Sequence, residues 1–403
     1  MIAIIKKSRA YGKIFAPTSK SMAHRLLIAS AMANGTSHIH GVTPSADVIA
    51  TVECLRALGA SINKEGGDYT VVGCDMSRSA PPDILNANES GSTLRFLIPA
   101  AALSGKEVSF CGKDGLMQRP LDVYEKLFSE KKITFVKQGN TLLVKGPISP
   151  GEFSVRGDLS SQFISGLLFA LPVLDSNSTI HILPPFESKP YVDMTVNTLK
   201  EFGISVYFDD ELTVRIPGGQ KYVSGDFSVE GDWSGAAFLD ALNLLGSDVN
   251  VLGLDENSAQ GDKIYRELYS ALKETTPEID ITDCPDLAPI LLTLASYFNG
   301  AVFIGTSRLK LKESDRASVM ARELRKFGAD IEIYENSVII KKTDLHAPTQ
   351  PLCGHNDHRV VMSLAVLLTK FGGEINGADA VDKSYPSFYA DLKKLGVDIT
   401  LKH

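Results

Sequence analysis

The feature that most constrains the fold of this chain is a pattern of about 70 residues that recurs six times. Each occurrence opens with a short polar cluster that is followed by an apolar stretch long enough for a helix of about four turns. The marker residues Lys20, Ser90, Ser160, Asp232, Asp286 and Asp357 are separated by 70, 70, 72, 54 and 71 residues. This period is too long for an ordinary solenoid repeat, so each repeat must contain several secondary-structure elements.

A second sequence pattern predicts the remainder of each repeat. An apolar helix end that closes with glycine is followed by alternating apolar residues, most clearly at Gly59, Gly203, Gly328 and Gly396. Glycine is typical of the position just after a helix, where a positive φ costs it little, and alternation is typical of a strand. Each repeat is therefore predicted as an apolar helix, a strand, a second helix and a strand pair, which is an α/β architecture.

The six repeats divide naturally into three and three. A candidate hinge lies between the third and fourth repeats, at residues 218–231, where glycines are frequent. The first helix opens only at Ser19, so residues 1–18 are expected to supply a strand to the second half. The expected domains are residues 19–229 and residues 1–18 plus 230–403.

Composition excludes several classes of function. The chain has 41 Lys and Arg against 48 Asp and Glu, a net charge of −7, which argues against a protein that coats nucleic acid. The five cysteines are scattered without a C-x-x-C pair, and the histidines lack metal-ligand spacing, so neither a disulfide framework nor a zinc site is expected. No Walker or dinucleotide glycine motif is present. We therefore expect no metal and no cofactor.

The N-terminal segment predicts a cytoplasmic protein. It has no apolar region followed by a small-residue cleavage site, so no signal peptide is expected. The longest apolar run, residues 164–174, is much shorter than the ~20 residues that cross a bilayer. We expect a reducing compartment and no membrane partner.

Basic residues cluster at the predicted helix starts, although the chain is acidic overall. A helix N-terminus already favours anions, and Arg and Lys beside it strengthen that preference. These residues are Lys20, Arg25, Arg95, Arg119, Arg308, Lys312, Arg316, His358, Arg359 and Lys383. The pattern favours a small polyanionic ligand, but each polar cluster taken alone also fits a helix cap, and residues 308–312 also fit a solvated surface.

Three acids are candidates for proton transfer: Asp286, Glu313 and Glu89. Asp286 precedes a strongly apolar helix, so it could equally be an N-cap. Glu313 stands beside Lys312 and Arg316 and could be a plain ion pair. His358 could simply be a residue of the first helical turn.

Five motifs, at residues 17–25, 160–162, 188–191, 312–316 and 356–359, together resemble the EPSP synthase family of enolpyruvyl transferases. The resemblance runs from about Ile14 to the C-terminus, with Asp286 and Lys383 at the family's positions. It implies a two-domain inside-out α/β barrel, each domain having three βαβαββ repeats, with the active site in the cleft between domains. It also implies that the N-terminal strand belongs to the second domain.

The implied reaction belongs to the shikimate pathway of aromatic amino-acid and chorismate biosynthesis. The enolpyruvyl (1-carboxyvinyl) group of phosphoenolpyruvate is transferred to the 5-hydroxyl of shikimate 3-phosphate, and phosphate is released. The resemblance implies a transferase of class EC 2.5.1.19 without metal or cofactor, and we expect a monomer that binds no nucleic acid.

The resemblance also implies roles for individual residues. Asp286 would take the proton of the 5-hydroxyl, Glu313 would handle a proton at the enolpyruvyl carbon, and Lys20 would contact both substrates. The residues implied for shikimate 3-phosphate are Lys20, Ser21, Arg25, Ser160, Ser161, Gln162, Ser188, Tyr191, Asp286, Arg308 and Lys312. Those implied for phosphoenolpyruvate are Lys20, Gly91, Arg119, Gln162, Arg316, Arg359 and Lys383, supported by Glu89, Arg95 and His358. Glu89 and Arg308 depart from members that carry Asn there.

Two alternative functions remain. A related transferase of the same fold acts on UDP-N-acetylglucosamine and usually needs a loop cysteine close before the Arg-Pro of the second repeat, whereas Cys111 lies eight residues before Arg119. The other alternative is a non-catalytic protein of this fold that binds anions or RNA ends.

Overall fold

A computed structural model describes residues 1–79 and 84–402 of the chain. The chain forms two compact units. We call Lys20–Val229 the inserted unit, and we call Met1–Ser19 together with the residues from Glu230 onward the split unit. The chain therefore passes from one unit to the other twice, after Ser19 and after Val229.

The helices begin where the polar clusters predict. Four of the marker residues cap them, because Ser90, Ser160, Asp232 and Asp357 accept hydrogen bonds from backbone N–H groups two or three residues ahead. The helices are α1 (Lys20–Met32), α2 (Ala46–Ala57), α3 (Gly91–Ala101), α4 (Asp114–Met117), α5 (Asp122–Glu130), α6 (Ser161–Ala170), α7 (Lys189–Glu201), α8 (Trp233–Leu244), α9 (Tyr265–Glu274), α10 (Ala288–Tyr297), α11 (Arg316–Arg325), α12 (His358–Phe371) and α13 (Phe388–Lys394).

The strands are short, and most of them alternate between buried and exposed residues. They are β1 (Ile2–Ile5), β2 (Tyr11–Phe15), β3 (Ala33–Asn34), β4 (Thr36–His40), β5 (Ser61–Glu65), β6 (Asp68–Val72), β7 (Ile84–Asn86), β8 (Glu107–Cys111), β9 (Thr134–Gln138), β10 (Thr141–Lys145), β11 (Gly151–Arg156), β12 (Ser178–Leu183), β13 (Tyr207–Phe208), β14 (Thr213–Ile216), β15 (Tyr222–Val223), β16 (Asp226–Ser228), β17 (Asp248–Leu252), β18 (Glu278–Asp280), β19 (Gly300–Ile304), β20 (Asp330–Ile333), β21 (Ser337–Lys341), β22 (Leu352–Cys353), β23 (Gly373–Asn376) and β24 (Ile399–Lys402).

The described residues contain five four-stranded sheets with one common topology. In each sheet the first pair of strands is parallel and the other two pairs are antiparallel, as the βαβαββ pattern requires. The strand orders are β16-β4-β6-β5, β7-β8-β10-β9, β11-β12-β14-β13, β18-β19-β21-β20 and β22-β23-β1-β24. The predicted α/β repeat architecture is confirmed.

The N-terminal strands complete repeats of the split unit. β1 lies between β23 and β24, antiparallel to both, and supplies the last strand of the sixth repeat. β2 pairs in parallel with β17 and supplies the first strand of the fourth repeat. The expectation that the N-terminal segment adds a strand to the second half is therefore confirmed in the pairing, with two strands rather than one.

The fourth repeat is shorter than the others, because it lacks the strand pair that the sequence predicts for every repeat. Only residues 275–277 separate α9 from β18, which is already the first strand of the fifth repeat. The fourth repeat therefore has no hairpin of its own, although the sequence predicts one. The missing hairpin explains why one step of the repeat is 54 residues instead of about 70.

Helices form the centre of each unit, and sheets cover them. In the inserted unit α3 packs on α6, and α1 packs on α7; in the split unit α12 packs on α8 and α10. The twelve successive residues from His358 to Thr369 of α12 are all buried, as a helix surrounded by protein requires. This arrangement is the inside-out architecture that the resemblance implies. Among the described residues, none of the helices is long and apolar enough to cross a membrane.

The glycines that close the second helices have the expected conformation. Gly59, Gly203, Gly328 and Gly396 have φ values of +113°, +76°, +91° and +90°. A side chain at these positions would strain the backbone. The prediction that these glycines terminate helices is confirmed.

Candidate active site

The inserted unit collects one group of the predicted ligands at the starts of α3 and α6. Gly91 is the first residue of α3, and a Cβ atom there would lie 3.0 Å from Arg119 Nη1 and 3.4 Å from Gln162 Oε1. Arg95 Nη1 donates to Gln162 Oε1 over 2.8 Å, and Gln162 Nε2 donates to Ser92 Oγ over 2.9 Å. Glycine therefore allows two guanidinium groups and an amide to approach the helix N-terminus, which suits a small anion.

Arg25 is a buried cation whose described partners are all uncharged. Nε donates to Thr195 Oγ1 over 2.9 Å, and the two terminal nitrogens donate to the backbone oxygens of Ser21 and Tyr191 over 2.7 Å each. Burial lowers the pKa of Arg25 to about 10. Because no carboxylate compensates this charge within the described residues, an anionic ligand would be a favourable neighbour. Ser188, at the start of α7 beside Tyr191, is also buried.

Lys20 is paired with an acid that the sequence analysis missed. Its Nζ lies 2.8 Å from Asp47 Oδ2, and both side chains are largely buried. Asp47 follows the N-cap Ser45 in the first turn of α2, so its place at a polar helix opening was the available signal. Glu89, one of the departures from the family pattern, forms an ion pair of 2.9 Å with Lys113.

The split unit collects the second group around Asp286. Asp286 Oδ1 accepts from Arg316 Nη1 over 2.8 Å and lies 3.4 Å from Lys312 Nζ, while Oδ2 accepts from Arg359 Nη2 over 2.8 Å. α10 begins only at Ala288, and the residue at its cap position, Leu287, makes no side-chain cap bond. The N-cap interpretation of Asp286 is therefore wrong, because its carboxylate holds three cations instead.

Arg316 connects three acids and is only 1% exposed. Besides Asp286, its Nη2 donates to Glu313 Oε2 over 2.8 Å and its Nε donates to Asp357 Oδ2 over 3.0 Å. The ion-pair interpretation of Glu313 is therefore confirmed. A buried guanidinium with three carboxylates lies where a negatively charged group could exchange for one of them.

Arg359 and Lys383 extend this group. Arg359, in the first turn of α12, donates to Ser234 Oγ and, over 3.2 Å, to the backbone oxygen of Asp286. Lys383 Nζ donates to the backbone oxygen of Asn356 over 2.6 Å. His358 is buried in the same helical turn, with Nδ1 3.9 Å from Asp357 Oδ1. Arg308 is buried rather than part of a solvated surface, and it donates to the backbone oxygen of Thr282 over 2.6 Å.

The ionisation of Asp286 follows from these neighbours. Burial raises its pKa, but Arg359, Lys312 and Arg316 outweigh burial and hold the pKa well below the usual range. Burial lowers the pKa of Lys312, and Asp286 partly restores it. Asp286 is therefore a stable carboxylate and a weak base.

The sequence-predicted residues thus fall into two groups, one on each unit. Lys20, Ser21, Arg25, Glu89, Gly91, Arg95, Arg119, Ser160, Ser161, Gln162, Ser188 and Tyr191 lie on the inserted unit. Asp286, Arg308, Lys312, Glu313, Arg316, His358, Arg359 and Lys383 lie on the split unit. We call these groups the inserted half-site and the split half-site.

Potential metal ligands do not cluster in the part of the chain that is described, and burial affects several of its thiols. No group of three or more His, Cys, Asp or Glu side chains there could hold a metal ion. Burial raises the pKa of the Cys111 thiol, raises that of Cys54 to about 12, and raises that of Cys284 further still. A high pKa keeps a thiol protonated and weakly nucleophilic.

Comparisons with known proteins agree on one family. The chain matches the family described as EPSP synthase (3-phosphoshikimate 1-carboxyvinyltransferase) over residues 4–392. A relative from Clostridium perfringens with the name 3-phosphoshikimate 1-carboxyvinyltransferase is 38% identical over 98% of both chains. A relative of the same name from Clostridium novyi is 40% identical over 96% of both chains.

Solved structures share the fold. An EPSP synthase from Acinetobacter baumannii superposes with a TM-score of 0.81, at 24% identity, over 100% of this chain and 99% of that one. The enolpyruvyl transferase NikO from Streptomyces tendae gives a TM-score of 0.78, at 16% identity, over 99% and 98%. The two-unit α/β repeat architecture is therefore that of known enolpyruvyl transferases.

Proposed function

The chain belongs to the EPSP synthase (3-phosphoshikimate 1-carboxyvinyltransferase) family, and we propose how its own residues carry out that enzyme's reaction. The enolpyruvyl group of phosphoenolpyruvate is transferred to the 5-hydroxyl of shikimate 3-phosphate, and phosphate leaves. The observation that carries the proposal is the Asp286 carboxylate, which is held by three cations instead of capping a helix. The Asp286 carboxylate, a proton acceptor, is thereby in direct contact with cations that would bind phosphoenolpyruvate and shikimate 3-phosphate.

The two half-sites supply complementary ligands in this proposal. On the inserted unit, the uncompensated Arg25 and the hydroxyls of Ser160 and Ser161 bind shikimate 3-phosphate, and Gly91 with Arg119 binds phosphoenolpyruvate. On the split unit, the ligands for phosphoenolpyruvate are Arg316, Arg359 and Lys383, and those for shikimate 3-phosphate are Asp286, Arg308 and Lys312. Closure of the units would bring both substrates into register, and such positioning can supply ~7–11 kcal/mol of a barrier.

The chemistry requires a base, an acid and fixed positive charge. Asp286 takes the proton of the 5-hydroxyl as its oxygen attacks C2 of phosphoenolpyruvate, and Glu313 delivers a proton to C3. The resulting tetrahedral adduct then returns a C3 proton to the Glu313 carboxylate and expels phosphate, which restores the carbon–carbon double bond. Lys20 and the guanidinium groups of the arginine ligands stabilise the negative charge that develops on the reacting groups in the transition states.

Substrate binding itself can prepare Asp286 for this role. Its pKa is low because the positive charges of Arg359, Lys312 and Arg316 are close to its carboxylate. Phosphoenolpyruvate on Arg316 and Arg359 would cancel part of that positive field and raise the proton affinity of Asp286. The acid would thus become an effective base only when the second substrate is bound.

A phosphate-release assay tests the activity. We expect phosphate release when phosphoenolpyruvate and shikimate 3-phosphate are both present, and equal rates with and without a chelator. Release with UDP-N-acetylglucosamine but not with shikimate 3-phosphate would contradict the proposal, and binding of either substrate without turnover would favour a non-catalytic protein.

For its surroundings we propose a cytoplasmic monomer that binds no nucleic acid. The five free cysteines are compatible with a reducing compartment. Sedimentation of the purified chain would test the monomer.

A further inference from the structure

The connection at residues 353–357 has an unusual backbone that the proposed reaction does not explain. It joins β22 to α12, and His355 and Asn356 follow one another at φ values of 49° and 54°. The left-handed region is unfavourable for residues with side chains, so two in succession persist only where surrounding contacts hold them.

One buried carboxylate holds the first part of the connection. Glu323 of α11 is 0% exposed. Its Oε2 accepts from the backbone N–H of Cys353 over 2.9 Å and from Lys326 Nζ over 2.7 Å, while its Oε1 lies 2.9 Å from His355 Nε2. Glu323 thus fixes both the backbone before the left-handed residues and the side chain of the first of them.

The same helix also holds the end of the connection. Arg316, about two turns before Glu323 on α11, donates to Asp357 Oδ2 over 3.0 Å. Asp357 in turn caps α12 by accepting from the backbone N–H of Arg359. The backbone oxygen of Asn356, between these anchors, accepts from Lys383 Nζ. Three proposed ligands of phosphoenolpyruvate are therefore arranged around one connection.

We infer that His355 and Glu323 are positioning residues for phosphoenolpyruvate, because their contact fixes the left-handed connection that sets the spacing of Arg316, Arg359 and Lys383. The inference rests on the proposed function, which assigns those three cations to that substrate. Neither positioning residue belongs to the residues implied for substrate contact. Both act through the backbone of residues 353–357.

Two substitutions of His355 separate positioning from stability. Gln places its amide nitrogen near the position of imidazole Nε2 and can still donate to Glu323, whereas the amide of Asn reaches only the Nδ1 position. Asn tolerates the left-handed backbone well, so His355→Asn removes the contact without adding strain. We expect His355→Asn to raise KM for phosphoenolpyruvate at least about tenfold, with KM for shikimate 3-phosphate and the melting temperature little changed. His355→Gln should behave like the wild type.

The measurements are steady-state kinetics with each substrate varied and thermal unfolding of the same preparations. Equal KM values for phosphoenolpyruvate in His355→Asn, His355→Gln and wild type would overturn the inference. A parallel rise in both KM values would also overturn it, by indicating a general structural role. Wild-type protein without turnover would instead overturn the proposed function.

Discussion

At the scale of single residues, Asp286 shows that an acid placed just before a helix can bind cations instead of capping the helix. Its carboxylate bonds to Arg316 and Arg359 and leaves the N-terminus of α10 uncapped by a side chain. We expect Asp286→Asn to retain substrate binding while kcat falls by ~10²–10⁴-fold, because the amide cannot accept the hydroxyl proton. Calorimetric titration and initial rates would measure the two effects.

The control for that prediction is Asp283→Asn, an exposed acid three residues earlier in the same loop. It should leave kcat unchanged. Unchanged turnover in Asp286→Asn would refute its assignment as the base.

Because the pKa of Asp286 is lowered by its cations, its contribution to stability is present above the usual pKa of aspartate and is lost as pH falls through the lowered value.

Arg119 provides a second prediction at this scale. It lies beside Gly91 and is proposed to bind only phosphoenolpyruvate. We expect Arg119→Ala to raise KM for phosphoenolpyruvate by ~10–150-fold, the range for loss of one hydrogen bond to a charged group, with little change for shikimate 3-phosphate. Arg215→Ala, which removes an exposed arginine of the same unit, is the matched control. Equal effects on both substrates would contradict the placement.

The sequence identified these residues better than it identified their partners. Lys20 and Arg316 stand in the motifs and Asp286 stands in a polar cluster, because polar residues at helix starts can be recognised from the sequence alone. Asp47 was missed although it stands at a polar helix opening. Glu323 was missed because an acid within an amphipathic helix resembles an ordinary surface residue until the fold brings a distant partner to it. The N-cap interpretation of Asp286 failed for the same reason, because its competing partners come from α11 and α12.

At the scale of elements, His40 ties three strands together. It ends β4, and its two ring nitrogens lie 3.1 Å from Asp68 of β6 and 2.8 Å from Asp226 of β16. The hydrogen bond to Asp68 raises the pKa of His40, and Asp226 adds to the effect. β16 is the last strand before the chain leaves the inserted unit, and these ion pairs hold it against β4 and β6.

The sign of the resulting pH dependence follows from the raised pKa. The stabilisation is fully present below the unfolded-state pKa of histidine, near ~6.5, and is lost as pH rises through the higher folded value. We expect His40→Gln to lower the melting temperature at pH 6 and to have a smaller effect at pH 8.5. His38→Gln, which changes another exposed histidine of β4, is the control. A difference that grows with pH would contradict the assignment.

The repeat period predicted the elements well but not every strand. Glycine positions and alternation are local properties, so the helix ends and most strands follow from them. The pairing of β1 with β23 and β24 joins residues at least 368 positions apart, and only the late start of the first helix indicated it. The step of 54 residues was the visible sign that the fourth repeat is shorter, but period alone could not say which element was absent.

At the scale of the whole molecule, the two units have separate cores, and a chain organised in this way can unfold in more than one step. The proposed ligands of shikimate 3-phosphate come from both units, with Arg25 on one and Lys312 on the other. A ligand that binds only the folded form stabilises it by ~2.7 kcal/mol at one hundred times its Kd. We therefore expect scanning calorimetry to show two transitions without ligand and to show both rise when shikimate 3-phosphate is added. Arg25→Lys, which keeps the charge but loses the planar donor geometry, should reduce both shifts. A rise confined to one transition would mean that only one unit binds this substrate, and the division of its ligands between the half-sites would be wrong.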